Sequence, residues 1–143
     1  MTLRVLDRDH ISLILRGHHQ VIDRLQSLNS IQWAFTIISI QEIFNGWIVH
    51  LNDPRYQDQQ VELYTRLWQS NQFFKKAQIL NFDAAAQRCY DSLRSTYPNL
   101  NKRRLEKDVK IAAIARVNQA ITVTRNQRDF TLVPDLQLDN WTL

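Results

Sequence analysis

A single cysteine, Cys89, stands in the chain, so an internal disulfide framework is excluded. Glycine is confined to Gly17 and Gly46 and proline to Pro54, Pro98 and Pro134. With so little of either, the sequence has no linker, no low-complexity tract and no internal repeat. No apolar run approaches the roughly 20 residues of a membrane span. Arg4, Asp7, Arg8 and Asp9 interrupt the opening segment, which therefore does not read as a signal peptide, and the cytoplasm is the expected compartment. The 143 residues fit one compact domain spanning 1–143. Hydrophobic residues at 44% and charged residues at 22% are ordinary for a globular protein. The formal charge of +4 suits a polyanionic partner as well as it suits simple solubility.

Apolar periodicity then divides the chain. Leu3 to Leu6 reads as a first strand ending at Asp7. Ile11, Ile14 and Leu15 have helical spacing, with Gly17 as the stop, and Val21, Ile22, Leu25 and Leu28 form a second helical stripe. Phe35 to Ile38 is aromatic and β-branched and predicts a buried strand. Ile40, Ile43, Phe44, Trp47, Ile48 and Leu51 follow at i, i+3, i+4, i+7, i+8 and i+11, an amphipathic helix for which Ser39 is the expected N-cap. Val61, Tyr64 and Trp68 mark another helix, and Trp47, Tyr64 and Trp68 are expected in the core, with a groove between the two helices as the other reading. Ala77 to Phe82 predicts a third strand, followed by a helix from Ala84 to about Thr96 capped by Asp83, with Cys89 as apolar filler. Pro98 to Arg104 predicts a polar loop. Lys107 to about Asn118 is helical, with Val109, Ala112, Ala113 and Val117 on one face. Ile121 to Val123 is a fourth strand, and Leu136 to Leu138 a short fifth. Strands alternating with helices imply an α/β fold with a mostly parallel sheet of four to five strands flanked by helices.

In such folds ligands gather beyond the carboxyl ends of the strands. Asp7 closes the first strand, Glu42 opens the helix after the second, and Asp129 lies in the loop after the fourth. Asp108 begins the helix that leads into the fourth strand, and joins the others if that helix starts at the same rim. Converging carboxylates repel one another, a penalty that Mg²⁺ or Mn²⁺ removes through oxygen coordination. The same residues also read as unrelated acids: Asp108 as a helix cap, Asp129 as a turn residue, and Glu42 as a solvated charge favoured by the helix dipole.

Two further groups stand out. Lys102, Arg103, Arg104, Lys107 and Lys110 cluster beside Asp108, either as a phosphate-guiding rim or as a solvated face. His10, His18 and His19 show no zinc spacing. His18 and His19 read as surface residues, and His10 as packing near the acids.

Four segments together resemble the VapC-like PIN-domain toxins over nearly the whole chain. They are Leu6-Asp7-Arg8-Asp9-His10-Ile11-Ser12; Ser39-Ile40-Gln41-Glu42 with Gly46-Trp47; Asp108 to Ala115; and Thr124-Arg125-Asn126-Gln127-Arg128-Asp129-Phe130 with Val133-Pro134 and Trp141. The resemblance implies a three-layer PIN-like fold and a Mg²⁺- or Mn²⁺-dependent ribonuclease. Asp7, Glu42, Asp108 and Asp129 then hold the metal, and Thr124 and Asn126 orient Asp129 or a scissile phosphate. It also implies a small cognate antitoxin as partner and, as is frequent in that family, a homodimer.

Two positions depart from the family pattern. Arg8 replaces the usual Thr or Ser, placing a cation that either competes with metal or holds a phosphate. Arg104-Leu105-Glu106-Lys107 replaces an Ile-Gly pair, so Glu106 stands close to the third acid. Two rival readings follow. The Asp7-Arg8-Asp9 motif after an apolar strand resembles the haloacid-dehalogenase phosphatases, with Asp7 as nucleophile. A pocket spoiled by Arg8 would leave a PIN domain that only binds RNA or a partner.

Overall fold

The computed structural model describes residues 2–143. Five short strands, β1 (Arg4–Leu6), β2 (Trp33–Thr36), β3 (Ile79–Leu80), β4 (Ile121–Val123) and β5 (Leu138–Asp139), form one sheet of order β3-β2-β1-β4-β5. Every pairing is parallel. The register aligns Leu6 with Val123, so the residues that follow, Asp7 and Thr124, leave the sheet side by side at its carboxyl edge. Parallel strands need crossover helices, and the chain supplies α1 (Arg8–Leu15), α2 (His19–Gln26), α3 (Ile37–Asn52), α4 (Gln60–Phe74), α5 (Ala84–Thr96), α6 (Glu106–Val117) and α7 (Gln127–Phe130).

Side chains alternate across the strands, and two cores result. Val5 faces α5 and α6, in a cluster with Leu93, Ile111 and Ile114. Leu6 and Phe35 face the other way, among Ile11, Val21, Ile43, Phe74 and Trp141. Helices therefore cover both faces of the sheet, the three-layer arrangement that the resemblance implies.

Local chemistry sets several boundaries. Gly17 has φ of +82°, a left-handed conformation that glycine adopts without Cβ strain and that ends α1. Asp83 accepts from the Ala86 N–H at 2.9 Å and caps α5, a bond worth about 1 kcal/mol.

Other expectations are corrected. The second strand stops at Thr36 and not at Ile38, and Thr36, not Ser39, is the N-cap of α3: Thr36 Oγ1 accepts from the Ser39 N–H at 3.2 Å. The β-branched pair Ile37-Ile38 favours strand locally, but capping by Thr36 wins and both isoleucines start the helix. Glu42 consequently sits in the second turn. The third strand shrinks to two residues. The expected loop at 98–104 is two 3₁₀ turns, Pro98–Asn101 and Arg103–Leu105, that bury Leu100 and Leu105. Asp129 lies on α7 and not in a loop. Val117 is 40% exposed, because α6 presents Val109, Ile111, Ala112, Ala113, Ile114 and Ala115 to the interior and Val117 lies beyond that packing.

The aromatic residues of α4 are also reassigned. Tyr64 and Trp68 are 57% and 61% exposed, because α4 buries Leu63, Ser70 and Phe74, and Phe74 meets Phe44 of α3 edge-on with ring centroids 5.6 Å apart. Trp47 is half-buried. Among the described residues, no helix is long and apolar enough to cross a membrane.

Candidate active site

Asp7 follows β1 directly and serves as the N-cap of α1. Its carboxylate is held on both oxygens. Oδ1 accepts from the His10 backbone N–H at 3.0 Å and lies 3.2 Å from His10 Nδ1, while Oδ2 accepts from Thr124 Oγ1 at 2.6 Å. Thr124 Oγ1 in turn accepts from the Asn126 N–H at 2.9 Å, which fixes the direction of the hydroxyl. Thr124 was expected to serve Asp129 or a phosphate. It serves Asp7 instead, because the β1–β4 register makes the two neighbours.

Asn126 joins the other two aspartates. Its Nδ2 donates to Asp108 Oδ2 and to Asp129 Oδ2, each at 3.1 Å. Asp108 is in the first turn of α6, whose N-terminus lies at the carboxyl edge of the sheet, as an antiparallel crossover helix requires. It caps nothing: α6 has no side-chain cap. Asp129 Oδ1 also accepts from Arg104 at 2.9 Å.

Asp7, Glu42, Asp108 and Asp129 line one cavity of about 370 Å³, together with Arg8, Asp9, Arg104, Lys107, Ile111 and Asn126. Four carboxylates from four separate elements thus face a common space. Burial, then repulsion from Glu42, Asp129 and Asp7, pushes the Asp108 carboxyl up to about 6. Burial also raises Glu42, against the opposing pull of Arg8 and Lys107. Asp129 moves the other way, lowered by its bonds from Arg104 and Asn126. Asp108 and Glu42 therefore hold a proton more readily than ordinary carboxyls, while Asp129 stays ionised with its charge paired to Arg104.

The basic groups divide. Arg104 and Lys107 line the cavity, and Lys107 donates to Gln41 Oε1 at 3.2 Å, tying α6 to α3. Arg103 and Lys110, expected at the rim, are not among the lining groups. Lys110 pairs with Glu106 at 2.9 Å and rests over the Phe82 and Tyr90 rings, and Glu106 likewise stays out of the cavity. Arg8 lines it but pairs with Asp9 at 3.5 Å. Asp9, two residues from Asp7, also lines the cavity, although the sequence expectation did not count it among the metal-holding acids. That expectation also left unassigned the ring contact of His10 to Asp7, which the i, i+3 spacing from a helix cap could have suggested.

The donor set is hard oxygen, without cysteine or a lining histidine. Among the described residues, no three His, Cys, Asp or Glu side chains converge closely enough, as they stand, to surround one ion by themselves. Such a set suits Mg²⁺ or Mn²⁺, which keeps several waters and uses one or two carboxylates directly. It does not suit tetrahedral zinc.

No protein-family model matches the sequence, and no curated protein matches it. Solved structures do. A DNA-bound VapBC from Salmonella typhimurium is 18% identical over 99% of each chain, with a TM-score of 0.80. FitAcB from Neisseria gonorrhoeae is 26% identical over 98% of this chain and 99% of that one, with a TM-score of 0.76. A toxin–antitoxin complex from Klebsiella pneumoniae is 19% identical over 93% of this chain and 94% of that one, with a TM-score of 0.66. The identities are low and the likeness is one of fold: this chain has the VapC-like PIN fold along nearly its whole length.

Proposed function

We propose that this chain is a metal-dependent endoribonuclease and the toxin member of a toxin–antitoxin pair, acting in the cytoplasm. The observation that carries the reading is the meeting of Asp7, Glu42, Asp108 and Asp129 around one cavity at the carboxyl edge of a parallel sheet. The likeness to VapBC and FitAcB supports the toxin assignment.

Asp7 and Asp108 are the residues to hold Mg²⁺ or Mn²⁺ directly, with Glu42 and Asp129 engaging its waters. The bound cation would supply activation of water and neutralisation of charge at a phosphodiester. The chain's own groups do the rest. Thr124 and His10 hold Asp7 in one orientation. Asn126 spaces Asp108 from Asp129, and so keeps two like charges at a fixed separation. Arg104 and Lys107 present positive charge to the phosphate backbone of RNA, and Arg8 adds to them once released from Asp9. Glu42, whose carboxyl is raised by burial, is suited to take a proton from attacking water.

The antitoxin is the expected protein partner. A groove of about 630 Å³ between α1, α3 and α4, lined by Leu15, Arg16, Ile43, Trp47 and Gln69 among others, has the mixed apolar and polar lining that suits an amphipathic helix. A homodimer is the further expectation.

The test is RNA cleavage by the purified chain with Mn²⁺, with EDTA, and as Asp7→Asn. Cleavage only by the wild type with Mn²⁺ is expected; cleavage that survives both chelation and the substitution defeats the mechanism.

A further inference from the structure

His10 is a fully buried polar residue whose ring bonds at both nitrogens. Nδ1 lies 3.2 Å from Asp7 Oδ1, and Nε2 lies 3.2 Å from the backbone nitrogen of Trp141. A backbone N–H can only donate, so Nε2 must accept. The ring proton is then on Nδ1, where it donates to Asp7. This makes the His10–Asp7 contact a hydrogen bond donated by the ring. Trp141 is itself wholly buried, edge-on to the His10 ring at 6.4 Å between centroids.

The segment carrying Trp141 is anchored independently of the site. β5 pairs with β4 through Thr122 and Val123. Arg24 of α2 reaches Asp139 at 3.4 Å and lies over the Trp141 ring at 5.6 Å, and Gln20 of the same helix donates to the Leu143 carbonyl oxygen at 2.5 Å. A chain of contacts thus runs from α2 through the last strand to the imidazole, and from the imidazole to the carboxylate facing the cavity.

We infer that His10 is a positioning residue of the site: anchored by the Trp141 backbone, its Nδ1–H sets the orientation in which Asp7 meets a divalent cation. The inference rests on the proposed function, because Asp7 must be a cation ligand. It adds that the C-terminal segment fixes which ring nitrogen donates: the Trp141 N–H occupies Nε2 and leaves the proton on Nδ1, facing Asp7. The general behaviour of metal sites agrees: groups hydrogen-bonded to a ligand orient it, and their loss commonly costs 10–100-fold in metal affinity.

The experiment measures Mn²⁺ affinity by calorimetry, without RNA, for wild type, His10→Leu and His10→Asn, with a melting temperature for each. Both substitutions remove the acceptor for Trp141, so both should lower the melting temperature. Asn keeps a donor at the Nδ1 position and Leu does not. His10→Leu should therefore bind Mn²⁺ about tenfold or more weakly, with His10→Asn recovering most of that loss. Equal Mn²⁺ affinity in wild type and His10→Leu, or a His10→Asn as weak as His10→Leu, overturns the positioning role. Wild type that binds no Mn²⁺ overturns the nuclease reading instead, and this role with it. Nitrogen-15 spectra of the wild-type imidazole decide the matter where a variant does not fold. A ring protonated at Nδ1, with a signal that moves on addition of Mg²⁺, is expected; a proton on Nε2 overturns the inference.

Discussion

Thr124 Oγ1 donates to Asp7 Oδ2 across 2.6 Å, although the two residues are 117 positions apart. Both are buried, and the bond exists because β1 and β4 are adjacent parallel strands in matched register. Thr124→Val keeps the shape but leaves the Asp7 oxygen and the Asn126 N–H without this partner. It should destabilise the fold by about 1–3 kcal/mol, more than Thr124→Ser, which keeps the hydroxyl. Urea melts of the two variants check this, and the reverse order would count against the bond.

Asp108 makes stability depend on pH. Its carboxyl moves from an ordinary 3.8 to about 6 in the folded state, so the folded chain holds this proton more tightly than the unfolded one. The contribution is present in full below pH 3.8 and is lost as pH rises through 6. Asp108→Asn, which retains an oxygen to accept from Asn126, should therefore melt at a higher temperature than wild type at pH 7.5. The gain should vanish near pH 3.5. A difference of the same size at both pH values would show that ionisation is not its source.

Arg104 lines the cavity and is half-exposed, which places it to meet RNA when it exchanges Asp129 for a phosphate. Replacing it by Gln should weaken RNA binding and flatten the dependence of affinity on salt. Each phosphate contact on a single strand contributes a slope of about 0.7, so the loss should be near that value. Arg103→Gln, altering a residue outside the cavity lining, should change the slope less. Fluorescence anisotropy with a labelled oligoribonucleotide across a salt series measures both.

Trp68 and Trp141 should behave oppositely. Trp68→Ser, at a site 61% exposed, should alter stability by no more than about 0.5 kcal/mol. Trp141→Ala empties a fully buried site and should cost about 3–5 kcal/mol. Chemical denaturation distinguishes the two, and a large loss at Trp68 would return it to the core.

The helical stripes, the order of the strands and the chain order of the acids were legible in the sequence, because side-chain period reports burial within one element. Gly17 and Asp83 were legible for the same reason: a left-handed stop and an N-cap act within a few residues. The segment Thr36 to Ser39 was not. Its β-branched residues favour strand, and which hydroxyl caps the helix depends on where the sheet ends. Tyr64 and Trp68 misled because apolar spacing along α4 does not say which stripe meets α3.

What the sequence alone determined is the set of elements and the supply of carboxylates at strand ends and helix starts. What the tertiary structure decided is partnership: Thr124 for Asp7, Asn126 for Asp108, Arg104 for Asp129, Lys107 for Gln41, and the Trp141 N–H for His10. A hydrogen bond forms only within about 3 Å, and for residues far apart in the chain that distance is set by strand register and helix packing, which no local pattern encodes.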